Sequence, residues 1–530
     1  MATVLGLVAA ATLYTTFTHN VWEDFLITIR FSQNLVEGHG LVYFPGERVH
    51  GFTSVINTLL PALFLFVGDV ENYQGALAGY RAVSILALAG GLGVLGYAIY
   101  RDRSWTTVGR WLLALFVVLD FKLIAFASNG METGFLVGFL ALGLAAALRD
   151  TSRYWLISGL AWAGLMYTRP DSPLYIVLLA GLGIWLRRET WRAEAAGLLK
   201  AAAVCTLLYL PWFLWVWSYY GSPVPHTIIA KSCYPTQPPL AGWAEWFNAL
   251  WDAMQTRGPM VFLPMDVRTS NWWGPAIVVA QLAVPGVLLA GWWAGKDRLI
   301  QGLSVIFGCL LLYFAFQSVR GAPFPWYLPP GMFIAGVVLA RGLGAAGSLP
   351  QRVLRGVCAL ALLSALIGNW VYGLPMVRAQ QSIVEDGNRA EVGRWLKAQA
   401  SPQDTVFLEP LGYIGYFSRL HMRDYPGLVS PPTVAALRHG SASFAEAALT
   451  LQPDWIVLRG HEISMFQNKP RFEATYRLAA RFDVRERVRA NGPFPGISFP
   501  WFDAEYLVFR KQPTDAAPAP LSPFTDTGGW

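Results

Sequence analysis

The 530-residue sequence predicts a polytopic α-helical membrane protein carrying a small C-terminal α/β domain. Three observations lead there. Apolar residues make up 54% and charged residues 14%, against about 25% charged in a soluble domain; so few charges cannot solvate a surface of this size. A series of apolar runs approaches the ~20 residues that cross a bilayer core. Beyond residue 375, charges become frequent and no further run follows. The mean hydropathy is +0.40. Disorder, coiled coil and collagen are excluded by the same composition, and 23 Trp, 21 Tyr and 31 Phe supply aromatic belts.

The runs, in chain order, are 1–18, 80–100, 108–127, 133–148, 154–167, 172–187, 197–217, 274–293, 299–317, 326–341 and 353–374, about eleven transmembrane helices. The first is uncharged, with no basic n-region and no small-x-small cleavage site, and reads as a retained span rather than a signal peptide. One set of alternate loops is basic: Arg101, Arg103 and Arg110; Arg149 and Arg153; Arg187, Arg188, Arg192 and Lys200; Lys296 and Arg298; Arg341, Arg352 and Arg355. The positive-inside rule puts these in the cytoplasm and the mixed loops outside. The same clustering accounts for the net charge of +7 without a nucleic-acid face. Four cysteines make no disulfide scaffold, and no Cys/His spacing fits zinc.

Residues 1–375 thus form the membrane domain, with a first outer loop at 19–79 and a long outer loop at 218–273. The apolar run 52–67 holds Asn57 and Pro61 and reads as a juxtamembrane or re-entrant helix. If it spanned, Met1 would lie outside and 19–51 in the cytoplasm. Residues 23–36 read as a surface helix with Glu23, Arg30 and Asn34 on one face. Residues 376–511 read as an extracytoplasmic α/β domain. An amphipathic helix is expected at 385–400 and another at 443–451. Buried strands are expected at 405–408 and 455–458, and a further strand at 506–509. Residues 512–530 read as a disordered tail.

Ionisable residues concentrate in the outer loops. The adjacent carboxylates Glu23 and Asp24, just past the first span, suit general-base work or a divalent cation near a phosphate. The competing reading is a helix N-terminus, where acids favour the macrodipole. Glu132 either caps the next helix or lines an outer cavity. Arg169 either pairs with Asp171 or holds a phosphate bidentately. His226 and Lys231 either neutralise a leaving phosphate or belong to an aromatic belt with a snorkelling lysine. Arg320 contacts a lipid phosphate or only headgroups. Asp120 and Lys122, near the end of a span, either serve function or pair with each other. A site at the outer face follows, for a lipid with an anionic head or something delivered on one.

The stretch Glu23-Asp24-Phe25-Leu26-Ile27-Thr28-Ile29-Arg30-Phe31, then Asn34-Leu35, Glu37-Gly38-His39-Gly40, Pro45-Gly46-Glu47-Arg48 and Gly51-Phe52-Thr53-Ser54, resembles the first outer loop of GT-C glycosyltransferases. These are polytopic enzymes using polyprenyl-phosphate sugars. The nearest likeness is to the arabinofuranosyltransferase-like branch. Gly130-Met131-Glu132-Thr133, Thr168-Arg169-Pro170-Asp171 and Tyr220-Gly221 through Pro225 to Lys231 resemble further family turns, as does Glu409-Pro410-Leu411-Gly412-Tyr413. The family usually has Asp-Asp at Glu23-Asp24, and Glu and Asn at His50 and His226.

The resemblance implies transfer of one sugar, arabinofuranose in this branch, from a polyprenyl-phosphate donor to an acceptor glycan, glycoprotein or other hydroxyl outside the cytoplasmic membrane. Asp24 is then the catalytic carboxylate with Glu23 beside it. Lys231, Arg169, Arg320 and His226 are candidates for the donor phosphate. Arg30, Glu132, Glu47 and Asp171 support the substrate. A divalent cation (Mg, Mn or Ca) on Asp24 and Glu132 stays open, without a complete ligand set in the sequence. An oligosaccharyltransferase-like protein O-glycosylation enzyme and a lipid-linked-sugar transporter are the alternatives.

Overall fold

The computed structural model describes residues 2–148, 154–233, 242–265, 272–293, 295–319, 324–438, 443–492 and 498–513. Arg320 and the tail from 514 on lie outside the described residues. Every apolar run named above is helical over most of its length, with 108–127 divided between two helices. Among the described residues, five helices are long and apolar enough to cross a membrane: Tyr73–Arg101, Arg188–Tyr220, Gly274–Trp293, Arg298–Val319 and Leu349–Gln399. A sixth crossing arises if Thr107–Leu119 and Phe121–Ser128, which meet at a 51° bend, form one span. The chain is a multi-pass membrane protein; five or six of its described helices have full crossing length, where about eleven spans are expected from the runs. Helices such as Ala2–Thr18, Thr133–Leu148 and Ser172–Leu186 rise only about 23–26 Å, short of the ~30 Å core.

At the bend, Asp120 accepts from the Lys122 and Leu123 amides, both at 3.1 Å. It thereby caps the second half of the break, while Lys122 donates its ammonium to the Met260 carbonyl. Tyr73–Arg101 and Thr133–Leu148 cross where Gly91 meets Gly138. A Cβ on Gly91 would lie 2.0 Å from the Gly138 carbonyl oxygen, so only glycine permits the approach, as in other small-residue membrane crossings.

The helix Glu23–Val36 departs from expectation. It is not a surface helix: residues Phe25 to Asn34 are all buried. The membrane bundle lies below it, Ile56–Val67 beside it and the C-terminal domain above it. Ser32 donates to the Thr58 carbonyl at 2.6 Å, fixing Ile56–Val67 against it. Leu411–Ser418 covers the top, and its Gly412 approaches so closely that a Cβ would sit 2.4 Å from the Glu23 carbonyl oxygen. The expected exposure fails because one apolar face meets the bundle and the other meets the domain.

The C-terminal domain holds a five-stranded sheet: β1 Thr405–Leu408, β2 His421–Asp424, β3 Trp455–Arg459, β4 Tyr476–Asp483 and β5 Glu505–Lys511, in the order β2-β1-β3-β5-β4. The first three strands in that order are parallel, and β5 and β4 complete the sheet antiparallel. The central strand β3 is buried at every residue. The aspartates preceding β1 and β3 cross-link them. Asp454 accepts from the Thr405 amide and hydroxyl at 2.8 Å each, and Asp404 from the Trp455 indole at 2.8 Å. The helix expected at 385–400 is the end of a longer element. Leu349–Ala379 runs through a π-helical stretch, Gln380–Arg389, into Ala390–Gln399, so the domain hangs on a continuation of a membrane helix.

Gly91→Val is expected to destabilise the protein by roughly 1–3 kcal/mol through overpacking, read as a lower melting temperature in detergent. Gly90→Val, whose Cβ meets nothing within 4 Å, is expected to leave the melting temperature unchanged.

Candidate active site

A cavity of about 330 Å³ lies between the membrane bundle and the C-terminal domain. Asp24, Thr227, Lys231 and Trp326 line it from the bundle. Glu409, Tyr425 and Arg459 line it from the domain, and Glu23, Glu385, Arg389 and Asp503 lie where the two meet.

The turn before Glu23 is held from several sides. Gln381, in the π-helical stretch, accepts from the Val21 amide at 3.0 Å and from Asn20 at 3.1 Å. Tyr413 donates to the Val21 carbonyl at 2.9 Å. Arg81 donates to the Asn20 carbonyl at 2.6 Å, and the Trp22 amide donates to the Asn129 carbonyl at 2.8 Å. The backbone under both acids is therefore fixed by the bundle and the domain together.

The two acids then diverge. Glu23 accepts from the Gly412 amide at 3.0 Å and pairs with Arg389 at 3.0 Å. Asp24 is half-buried and lines the cavity; among the described residues its carboxylate has no hydrogen bond or ion pair. Burial raises its pKa to about 7, against the opposing pull of Lys231. Burial also raises Glu23, against the pull of Arg389. Glu23, expected beside Asp24 as a catalytic group, is thus the residue that ties the domain to the first loop.

Arg389 is the hub of that tie. It pairs with Glu23, with Glu385 at 2.9 Å and with Asp503 at 2.7 Å. Asp503 also accepts from Arg459 at 2.6 Å and from the Tyr506 hydroxyl at 2.6 Å. Arg459 reaches on to Glu409 at 2.6 Å and Glu462 at 2.9 Å. Burial opposes the charge on Asp503, but the guanidiniums of Arg389 and Arg459 hold its carboxyl well below the usual carboxylate range.

Lys231 and His226 sit on one short helix, His226–Lys231. Lys231 faces the cavity with its ammonium 4.6 Å from the centre of the Phe324 ring, where it acts on Asp24 through space. His226 does not line the cavity, and its Nε2 is buried without a hydrogen bond among the described residues. Arg169, expected at the donor phosphate, is instead bonded to Glu132 and Asp171, both at 2.8 Å. It lies under Tyr327 at 4.5 Å, and Tyr313 donates to Asp171 at 3.0 Å. All three of Arg169, Glu132 and Asp171 stand outside the cavity lining; their pairing neutralises charge at a buried turn. Arg30 is buried beneath the domain and donates to Gln33 at 3.4 Å. Glu47 lies 3.1 Å from His421 of β2. Neither lines the cavity.

Among the described residues no three His, Cys, Asp or Glu side chains group as a metal site. Glu132 is bonded to Arg169, so the cation placed on Asp24 and Glu132 does not fit the side chains as they stand.

Glu385, Arg389, Glu409, Arg459 and Asp503 are the cavity residues that sequence reasoning missed as site residues. They come from a helix continuation, a strand edge and the turn before β5, with no shared motif. Glu409-Pro410-Leu411-Gly412 alone carried a signal, through its family likeness. Asp503→Asn is expected to cost about 3–5 kcal/mol, the loss seen when a buried ion pair keeps only one partner, measured as a fall in melting temperature.

Residues 376–509 match a family model described as a domain of unknown function, DUF8728. Two terminal β-(1→2)-arabinofuranosyltransferases are similar in sequence. The one from Corynebacterium glutamicum is 29% identical over 40% of this chain and 33% of its own length. The one from Mycobacterium tuberculosis is 25% identical over 55% of this chain and 50% of its own length. The chain thus spans a third to a half of these curated relatives. The crystal structure of ArnT from Cupriavidus metallidurans bound to undecaprenyl phosphate superposes with a TM-score of 0.51 at 13% identity, covering 98% of this chain and 99% of that one. The archaeal oligosaccharyltransferase AglB from Archaeoglobus fulgidus, in complex with an inhibitory peptide and dolichol phosphate, superposes with a TM-score of 0.52 at 12% identity, covering 92% and 73%. Over these coverages this chain shares the GT-C fold of the two structures.

Proposed function

We propose that this protein is a membrane glycosyltransferase moving one sugar from a polyprenyl-phosphate donor to an acceptor hydroxyl, with the cavity on the outer side of the cytoplasmic membrane. The observation that carries the reading is Asp24: a carboxylate fixed in place by its backbone, facing a cavity, with no hydrogen-bonding partner among the described residues and a pKa raised to about 7. A general base works best near the operating pH, and a group held only to stabilise the fold would have partners.

In this reading the acceptor hydroxyl enters from the domain side and gives its proton to Asp24 as its oxygen attacks the anomeric carbon. The C–O bond to the lipid phosphate breaks, and Lys231 offsets the charge that develops on the leaving phosphate. Lys231 is half-buried against the Phe324 ring, and the reduced contact with water strengthens that interaction. Glu23 and Arg389 hold the domain wall against Asp24, so they act on position rather than on the reacting atoms.

Arabinofuranose as the sugar is supported by the two sequence relatives, both named terminal β-(1→2)-arabinofuranosyltransferase. This also favours single transfer over en bloc oligosaccharide transfer. Lipid-phosphate use is supported by the two fold neighbours, one bound to undecaprenyl phosphate and the other to dolichol phosphate. The orientation is supported by Arg101, Arg103, Arg187, Arg188, Arg352 and Arg355, all at the helix ends away from the domain.

The test supplies purified protein in nanodiscs with polyprenyl-phosphate arabinofuranose, a hexose counterpart and an arabinan oligosaccharide, reading released lipid phosphate and product mass. Asp24→Asn is expected to lower kcat by about 10²–10⁴-fold; full activity in a folded Asp24→Asn protein sinks the assignment. Lys231→Met is expected to slow release of lipid phosphate with any acceptor. The base form of Asp24 is the active one, so kcat/KM is expected to rise with pH and to be half-maximal near 7. A rate independent of pH between 5.5 and ~8.5 would remove Asp24 from the proton-transfer step.

A further inference from the structure

We propose that the membrane domain binds one anionic glycerophospholipid in a groove between its first helix and the helix that carries the C-terminal domain, away from the sugar-transfer cavity. The groove has a volume of about 390 Å³ and an almost wholly apolar lining. Leu13 and Phe17 of Ala2–Thr18 form one wall, Ile367, Trp370 and Leu374 of Leu349–Ala379 the other, and Leu119 the floor. Its cause is the 51° break after Leu119: the broken span bends away and leaves a notch that no side chain fills. Trp370 donates its indole to the Leu119 carbonyl at 3.0 Å, which fixes the floor against the far wall and satisfies the ring's polar atom. What remains facing the groove is hydrocarbon.

Its length and position fit a lipid chain. From Ile367 to Pro375 the lining helix rises about 12 Å, close to one leaflet of a ~30 Å core. Leu13 and Ile367 are each 50% exposed, at a depth where the exposed surface meets acyl chains.

The end of the groove on the domain side selects charge. Arg378 lies one turn beyond Pro375 and is exposed, its guanidinium 5.0 Å from the centre of the Phe17 ring. Among the described residues it has no hydrogen bond or ion pair with a carboxylate. Phe17 thus closes the top of the groove and holds a cation over it at headgroup level, the arrangement that receives a lipid phosphate. Met376 and Val377, in the same turn, are buried and line the sugar-transfer cavity on the other side of the helix. A phosphate on Arg378 therefore lies outside that cavity, which argues for a bilayer phospholipid over a polyprenyl-phosphate donor.

The test is native mass spectrometry of the full chain released from nanodiscs of equal phosphatidylglycerol and phosphatidylcholine, with undecaprenyl phosphate added in a second arm. The expected result is one retained phosphatidylglycerol. Retention is expected to fall about fivefold in Arg378→Ala, to persist in Arg378→Lys, and to be lost in Leu13→Trp, which fills the groove at an exposed position. Melting temperatures of the variants establish that they are folded. Equal retention of the two phospholipids, equal retention by wild type and Arg378→Ala, or displacement of phosphatidylglycerol by undecaprenyl phosphate in wild type would each overturn the proposal.

Discussion

One buried guanidinium organises the meeting of the two halves of this molecule. Arg389 binds a carboxylate from the first loop, one from its own helix and one from the turn before β5. Charges so placed are stable only when geometry and partner count are both satisfied. The arrangement therefore works as a register mark: the domain seats with Arg389 between Glu23 and Asp503, and other seatings leave buried charge unpaired. Asp24 gains its environment from this. Its neighbour Glu23 is bonded above, the backbone before both is pinned by Gln381 and Tyr413, and the remaining carboxylate is left facing the cavity.

Much of the fold was legible in the sequence because bilayers impose a simple rule on composition. Long apolar stretches have to become helices, since no other local structure satisfies its own backbone in hydrocarbon. The change in composition after residue 375 marked the domain, and the short continuous apolar runs at β1, β3 and β5 were strong enough to read. β2 and β4 were not: both are edge strands, Tyr476–Asp483 with charged side chains that face water, and the four-residue His421–Asp424 with three ionisable side chains and a buried Asp424 that caps the following turn. Apolar run length alone does not give the number of full crossings, because helices of 15–17 residues in a bundle can be buried by protein as well as by lipid.

The site divides differently. Asp24 and Lys231 were visible as ionisable residues in outer loops and through a specific family likeness, and the structure brings both to one cavity. Arg169 was visible for the same reason, yet its charge is met by Glu132 and Asp171, and no spacing rule separates a free arginine from a paired one 37 residues from its partner. The domain-side residues were invisible because their meaning is wholly tertiary. Asp503 reads as one acid in a surface-like turn until Arg389 and Arg459, 114 and 44 residues away, close on it.

The cavity has one wall from the membrane bundle and one from a domain that follows it in the chain, and Asp503 lies near the domain's end. This sets an order of events during biogenesis. The ribosome delivers the membrane helices with Asp24 and Lys231 first, into the bilayer. The strand edge with Glu409 and the turn with Asp503 emerge only afterwards. Until they do, water has open access to the carboxylate and Arg389 has no lid to hold. A chain interrupted before the last strand inserts into the membrane, yet it presents half a site. Productive chemistry is thereby reserved for chains translated through β5.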